Sequence, residues 1–319
     1  MFSDHDARGI ARAFGLGDDA AFTGTVARGE QGQVAQLETS RGLWAVKTSF
    51  QPPELDGEDG AFQAAALAGG VPAPVVVYTA DGELFTEIGG LPVRVYGWVD
   101  VLAADSGLDP GRVGRLMAAI HQVPFRGRRP QDPWYTEPVG AAGWDGLIEQ
   151  LAAAGAPFAG DLAAMRDELV ALEGLLVPGR ELRTCHRDLW SDNLRATAQG
   201  GLCVIDWDNC GLADPGQELA GVLFEFGYGD ADRARALYGE YRRCGGPGRI
   251  ERRGDFSMTI AQLGHINEIS CLAWLDPAEP DEERARQAAR FHESVEMPLT
   301  VEVIDELLEA VAGYPSRSS

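Results

Sequence analysis

The chain has 319 residues, 45% hydrophobic and 24% charged, with 49 acidic against 27 basic residues and a formal net charge of -22. That apolar share excludes a disordered or solvating acidic polymer, and the length suffices for one large or two medium domains with sizeable cores. The charge disfavours nucleic acid and anionic membrane surfaces, whose phosphates would be repelled, and favours a cationic small molecule.

The start, Met1-Phe2-Ser3-Asp4-His5-Asp6, is polar and acidic, unlike the basic and apolar opening of a signal peptide. No uninterrupted apolar run approaches the ~18 residues of a membrane span. The cysteines, Cys185, Cys203, Cys210, Cys244 and Cys271, are odd in number and never spaced C-x-x-C. They read as buried small hydrophobes, which fits a reducing cytoplasm.

The first hundred residues read mainly as strands. Phe22 to Arg28, Gln33 to Glu38 and Leu43 to Thr48 form short runs split by Gly29-Glu30-Gln31-Gly32 and Ser40-Arg41-Gly42, the spacing of an antiparallel meander. Glu58 to Ala68 is Ala-rich and helical, closed by Gly69-Gly70 and Val71-Pro72. Val75 to Tyr78, Glu83 to Ile88 and Pro92 to Trp98 complete the β-rich part. Beyond Trp98 the apolar spacing becomes helical over Pro110 to Gln122, Trp144 to Ala153, Asp161 to Leu176, Gln217 to Phe226 and Ala231 to Arg243. It continues over Asp255 to Trp274, Asp281 to Glu293 and Thr300 to Ala312, with one β-like segment at Gly201 to Trp207. Pro124 to Gly143 is a long polar loop that could cover a site. An α+β fold follows, with a β-rich lobe over 1–96, a helical lobe over 97–319 and a hinge near 96–100.

Three segments carry chemistry together: Cys185-His186-Arg187-Asp188-Leu189-Trp190-Ser191-Asp192-Asn193, Val204-Ile205-Asp206-Trp207-Asp208, and Trp44-Ala45-Val46-Lys47-Thr48. Of the 27 basic residues 26 are arginine, so Lys47 is the only lysine in the chain. Asp188 can accept a proton from an attacking hydroxyl or orient it. Asn193 and Asp206 offer the hard oxygens that suit magnesium, and Lys47 offers a compact cation for phosphate oxygens. These are the needs of phosphoryl transfer: in-line placement, with cations over the phosphate charge.

H-x-D-x-x-x-x-N followed by I-D-W, after a strand ending A-V-K, resembles the kinase signature set. The wording is most similar to the aminoglycoside phosphotransferase and choline kinase superfamily. Val71-Pro72-Ala73-Pro74, Ala213-Asp214-Pro215 and Glu218-Leu219-Ala220 match its further motifs in order. The resemblance implies a bilobal protein-kinase-like fold, with ATP or GTP and Mg2+ in the cleft between the lobes. It implies transfer of a γ-phosphate to a hydroxyl on a small molecule. Asp188 would be the catalytic aspartate, Asn193 and Asp206 the metal ligands, and Lys47 the contact to the α- and β-phosphates. Glu58 would pair with Lys47, with Asp59 an alternative. Gly29 and Gly32 resemble a reduced phosphate-covering loop, though taken alone they read as an ordinary hairpin. Backbone groups near Tyr96 to Trp98 would meet the adenine. His186, Asp214 and Glu218 would support the loop.

Arg187 departs from the family's usual glycine and Trp190 from a common histidine. No protein-kinase activation segment fits after Asp206, because helical sequence resumes near Pro215; a small-molecule acceptor is therefore favoured over a protein. Asp208 reads as a solvated turn residue or as a second carboxylate near the metal, the former favoured. His121 matches a helix-ending L-H-x-x-P element and reads as structural, and His265 as core or surface. Trp134, Tyr135 and Trp144 are either packing under the long loop or walls of an acceptor pocket. The acidic stretch from Asp276 reads first as a solvated helix face. By resemblance to enzymes that hold substrate ammonium groups with carboxylates, Glu225, Glu268 and Asp276 are the candidates for acceptor contacts. Aminoglycosides or other basic antibiotics lead as acceptors; choline, homoserine or a sugar-like metabolite, and a silent pseudokinase, are the alternatives.

Overall fold

A computed structural model describes residues 3–28, 32–49 and 57–314. The chain groups into two compact units: Met1–Asp105 with Val123–Gly127 and Ser191–Cys210, and Ser106–Gln122 with Arg128–Trp190 and Gly211–Ser319. Residues 191–210 group with the sheet of the first unit.

In the first unit, α1 (Asp4–Ala13) precedes β1 (Ala21–Arg28), β2 (Gly32–Thr39), β3 (Gly42–Ser49), α2 (Glu58–Ala68), β4 (Val76–Val77), β5 (Thr86–Ile88) and β6 (Leu91–Gly97). The strands form one antiparallel sheet in the order β1-β2-β3-β6-β4, with β5 also paired to β6. The expected meander is present. The helix α1 has no counterpart in the sequence reading, which took this segment only as a polar start. It opens on a capping box, in which the Ser3 hydroxyl accepts from Asp6 N–H and the Asp6 carboxylate accepts from Ser3 N–H. Ala7, Ile10 and Ala11 pack with Leu37, Val46, Val93 and Val95 to form the core of this unit.

Strand side chains alternate in direction, so burying Val46, Val93 and Val95 on one face turns Lys47, Arg94 and Tyr96 to the other. On β3 and β6, Val46 lies opposite Val95 and Lys47 opposite Arg94.

Two further strands belong to this unit. β8 (Leu194–Ala196) and β9 (Leu202–Val204) form a hairpin. Val204 N–H donates to the Pro72 carbonyl at 2.9 Å, and Leu102 N–H to Ala196 at 2.8 Å. The Trp207 ring meets Phe62 of α2 edge-on at 5.5 Å between centroids. The second unit holds β7 (Arg183–Cys185), paired with β10 (Gly211–Ala213). With three residues each, β7, β8 and β10 are too short to leave a period-2 signal, and the sequence reading missed them.

Helices make up most of the second unit: α3 (Pro110–His121), α4 (Ala141–Ala154), α5 (Ala159–Glu173), α6 (Pro215–Gly227), α7 (Ala231–Arg243), α8 (Ser257–Leu275), α9 (Asp281–Glu296) and α10 (Val301–Val311). Each overlaps a segment of helical spacing. α3 and α7 approach closely at Gly114, where a Cβ would collide with the Leu237 carbonyl. Trp144, Leu151, Phe158, Leu162 and Phe291 form a fully buried cluster. Trp144 therefore belongs to packing, its indole N–H donating to Glu173 Oε1 at 2.9 Å. Among the described residues no helix is long and apolar enough to cross a membrane.

Burial pushes the Cys203 thiol up to about 11, and burial with the nearby Glu268 charge pushes Cys271 up to about 12. In the unfolded chain these thiols ionise near ~8.5. The folded state thus keeps protons that the unfolded state loses, and this contribution to stability fades as pH rises from about 8.5 through 11 to 12. The unfolding midpoint should fall over that range, and fall less in a C203A/C271A variant. In the native protein at neutral pH, thiol reagents mapped by mass spectrometry should modify the half-buried Cys244 well before Cys203 or Cys271.

Candidate active site

Within the first unit, the β8–β9 hairpin brings two of the expected metal ligands side by side. Leu194 pairs with Val204, and Ile205 N–H donates to the Asn193 carbonyl at 2.9 Å, so Asn193 and Asp206 leave the same end of the hairpin. Asp206 has a left-handed backbone, φ 57°. A non-glycine residue there carries strain of about 1 kcal/mol, and such positions cluster at functional sites.

Lys47 reaches this end from β3. Its Nζ lies 2.6 Å from Asp206 Oδ1 and 2.9 Å from Asp208 Oδ2. Burial works against the ammonium charge, but Asp206 and Asp208 outweigh it and hold the lysine well above its ordinary range. Asp208 is thus no solvated turn residue: its other oxygen lies 3.3 Å from Arg94 Nη1. The turn-forming neighbours of Asp208 suggested solvation, and only the strand register reveals two cations facing it.

The ion pairs of Lys47 are with Asp206 and Asp208, and α2 instead sends Asp59 to Arg94. Asp59 Oδ1 also accepts the Gly60 N–H at 2.8 Å, serving an α2 N-terminus that lacks a capping side chain. Glu58 opens the helix and is buried. Sequence reasoning missed Arg94, although V-R-V-Y places one cation on an otherwise apolar strand.

Gly32 starts β2 and is buried, opposite Ser49; Gly29 lies outside the described residues. Tyr96 faces the same side as Lys47, and its phenol is pushed up by burial and then by the Asp208 charge. Gly97 N–H donates to Val75 at 2.8 Å and Trp98 N–H to Leu43 at 3.3 Å, so these two donors of the expected adenine contact already serve the sheet. The Trp98 indole donates to Asp100 at 2.7 Å.

In the second unit, Asp188 follows β7 and is half-buried. Its neighbour Arg187, which departs from the expected glycine, also has a left-handed backbone, φ 66°. Several contacts hold it there. Its N–H donates to Glu218, its carbonyl accepts from Gln262 Nε2 at 2.7 Å, and its guanidinium lies 4.3 Å from the centre of the Tyr135 ring. A Cβ at Gly211 would press into that guanidinium.

Glu218 is itself tied at both oxygens. Its Oε2 lies 2.6 Å from His121 Nε2, and because a carboxylate only accepts, that nitrogen carries the proton. His121 Nδ1 lies 2.8 Å from the Tyr241 hydroxyl, which accepts from Gly248 N–H at 2.7 Å. Burial opposes the Glu218 charge, but His121, His186 and the Arg187 N–H hold its carboxyl below the usual value. His186 is fully buried. Asp214 caps α6, accepting from Gly216 N–H at 2.7 Å and Arg180 N–H at 2.6 Å.

Of the acceptor candidates, Glu268 pairs with His265 at 2.8 Å, and the His265 ring stacks on half-buried Trp134 at 5.3 Å. Asp276 ends α8 and accepts from Ala278 N–H at 2.8 Å, while Glu225 is half-buried on α6. Tyr135 lies buried under Arg187.

The model of the phosphotransferase enzyme family matches residues 25–253, and the chain belongs to that family. It is a kinase-type phosphotransferase with an alcohol group as acceptor, and its α+β fold is protein-kinase-like. No curated protein sequence matches it. A spectinomycin phosphotransferase solved with ADP and its antibiotic is 14% identical, covering 97% of this chain and 98% of its own, with a TM-score of 0.67. An aminoglycoside phosphotransferase from Alicyclobacillus acidocaldarius is 18% identical over 94% of this chain and 95% of its own, TM-score 0.60. An amicoumacin kinase solved with AMP-PNP and Ca2+ is 14% identical over 94% and 95%, TM-score 0.62.

Glu218→Ala would leave the Arg187 and His121 donors buried without their acceptor, at a cost of about 3–5 kcal/mol. Denaturant titration at neutral pH should register that loss. Since the folded carboxyl titrates below its unfolded value, the wild-type advantage is full above the ordinary carboxyl range and shrinks as pH falls. An advantage that stayed constant with acidification would contradict a charged Glu218.

Proposed function

We propose that the protein transfers the γ-phosphoryl group of ATP to a hydroxyl of a small cationic molecule, with an aminoglycoside or another basic antibiotic as the leading acceptor. The observation that carries this reading is Lys47 held between Asp206 and Asp208, with Asn193 bonded to the residue before Asp206, in a member of this family. An ammonium group drawn to these oxygens marks a place that attracts cations, and the hard donor set suits magnesium. Asn193 and Asp206 would hold that ion, which supplies positive charge against the phosphate oxygens.

Lys47 binds the α- and β-phosphates as a point charge. Asp188 orients the acceptor hydroxyl and takes its proton, and Glu218 and Gln262 fix the backbone of the preceding residue so that Asp188 is presented consistently. The acceptor's cationic character is supported by the net charge of -22, with Glu225, Glu268 and Asp276 as its proposed contacts. Backbone around Tyr96 and Trp98, with Gly29, Gly32 and Glu58, completes the proposed nucleotide site. The two-lobed division near residue 96 and a cytoplasmic location belong to the same reading.

An ATP-consumption screen with basic antibiotics and amino-alcohol metabolites tests the proposal. Asp188→Asn should lower turnover by about 10²–10⁴, the range of a positioned general base. Lys47→Arg keeps the charge but replaces a compact head with a planar fork, and turnover should again fall sharply. Phosphoryl transfer by Asp188→Asn near the wild-type rate would refute the mechanism. Turnover only with metabolites would move the acceptor class, and nucleotide binding without turnover on any acceptor would identify a pseudokinase.

A further inference from the structure

Arg94 is a buried cation of the first unit that no motif points to. It lies on β6 directly opposite Lys47 on β3, and like charges at such a pair repel. Three carboxylates relieve that repulsion in a fixed pattern. Asp206 faces Lys47, Asp59 faces Arg94, and Asp208 sits between them with one oxygen toward each, 2.9 Å from Lys47 and 3.3 Å from Arg94. Arg94 and Asp59 are both buried, so this arrangement is not a surface pairing.

We infer that Arg94 is a positioning residue for nucleotide binding. It anchors α2 through Asp59, and it restrains Asp208 so that Lys47 remains available to phosphate. A guanidinium suits the task because it stays charged when buried and offers several donors in a rigid fork. An ammonium serving helix, metal loop and phosphate together would be divided among them. Without Arg94, Asp208 would lose the cation that shares it with Lys47, and its charge would fall more fully on Lys47, in competition with phosphate. The inference rests on the phosphotransferase reading and adds to it Arg94 and Asp59, which that reading does not use.

Calorimetric titration with Mg–ADP, which needs no acceptor, tests it alongside thermal melts. Arg94→Met should weaken Mg–ADP binding about tenfold or more, the size of one lost charge-assisted contact. Arg94→Lys should fall between the two, since an ammonium replaces the charge without the fork. Removing the competing acid as well, in R94M/D208N, should bring affinity back to within a few-fold of wild type, an effect that a merely structural role for Arg94 would not produce. If R94M fails to fold because Asp59 is left buried and charged, R94M/D59N removes that charge; it should fold and still bind Mg–ADP weakly, and R94M/D59N/D208N should recover. Wild-type affinity in the folded Arg94 variant, or no recovery on removing Asp208, would overturn the inference. A wild-type protein that binds no Mg–ADP would instead sink the phosphotransferase reading itself.

Discussion

Two cations directly opposite one another on adjacent strands set the terms for the first unit. Lys47 and Arg94 share the face of β3 and β6 left when the valines enter the core, and their repulsion is stable only beside acids. Asp59, Asp206 and Asp208 provide them, drawn from a helix and from the segment after the β8–β9 hairpin. The same charges thus tie residues 191–210 to the sheet.

The second unit solves a different problem. Arg187 occupies a backbone region in which a side chain is unfavourable by about 1 kcal/mol, beside the residue proposed for proton transfer. Glu218, Gln262 and Tyr135 hold it from three directions, and His121 and Tyr241 hold Glu218 in turn. Hydrogen bonds in such a buried site are strong, and together they hold the Arg187 backbone in place. Arginine can therefore stand at this left-handed position: its guanidinium lies over Tyr135 and against the bare Cα of Gly211, gaining contacts a glycine could not make.

Much of this was legible along the chain. The period-2 runs and glycine-bearing turns mark β1 to β3, and the larger helices announce themselves by their apolar spacing, since each buries one stripe. The order of Lys47, Asp188, Asn193 and Asp206 carries the family and the reaction class because few chemistries need those groups in that order. What stayed hidden has a local cause. The capping box at Ser3 and Asp6 is too small a signal beside an acidic start, and three-residue strands have no period to detect. Trp144 could equally have lined a pocket, because an aromatic side chain reads the same in a core and at a wall.

Sequence by itself determined the antiparallel sheet, the helical remainder, the family and the place of the one lysine. Tertiary structure alone decided its partners. Whether Lys47 meets the carboxylate of α2 or those after β9 depends on strand register and on which side chains share a face, both products of distant pairing. A register displaced by one residue would turn Arg94 into the core and a valine toward Asp208. Charge pairing at these distances is a property of where the backbone goes, so Arg94 and Asp208 acquire their meaning only once the chain has folded.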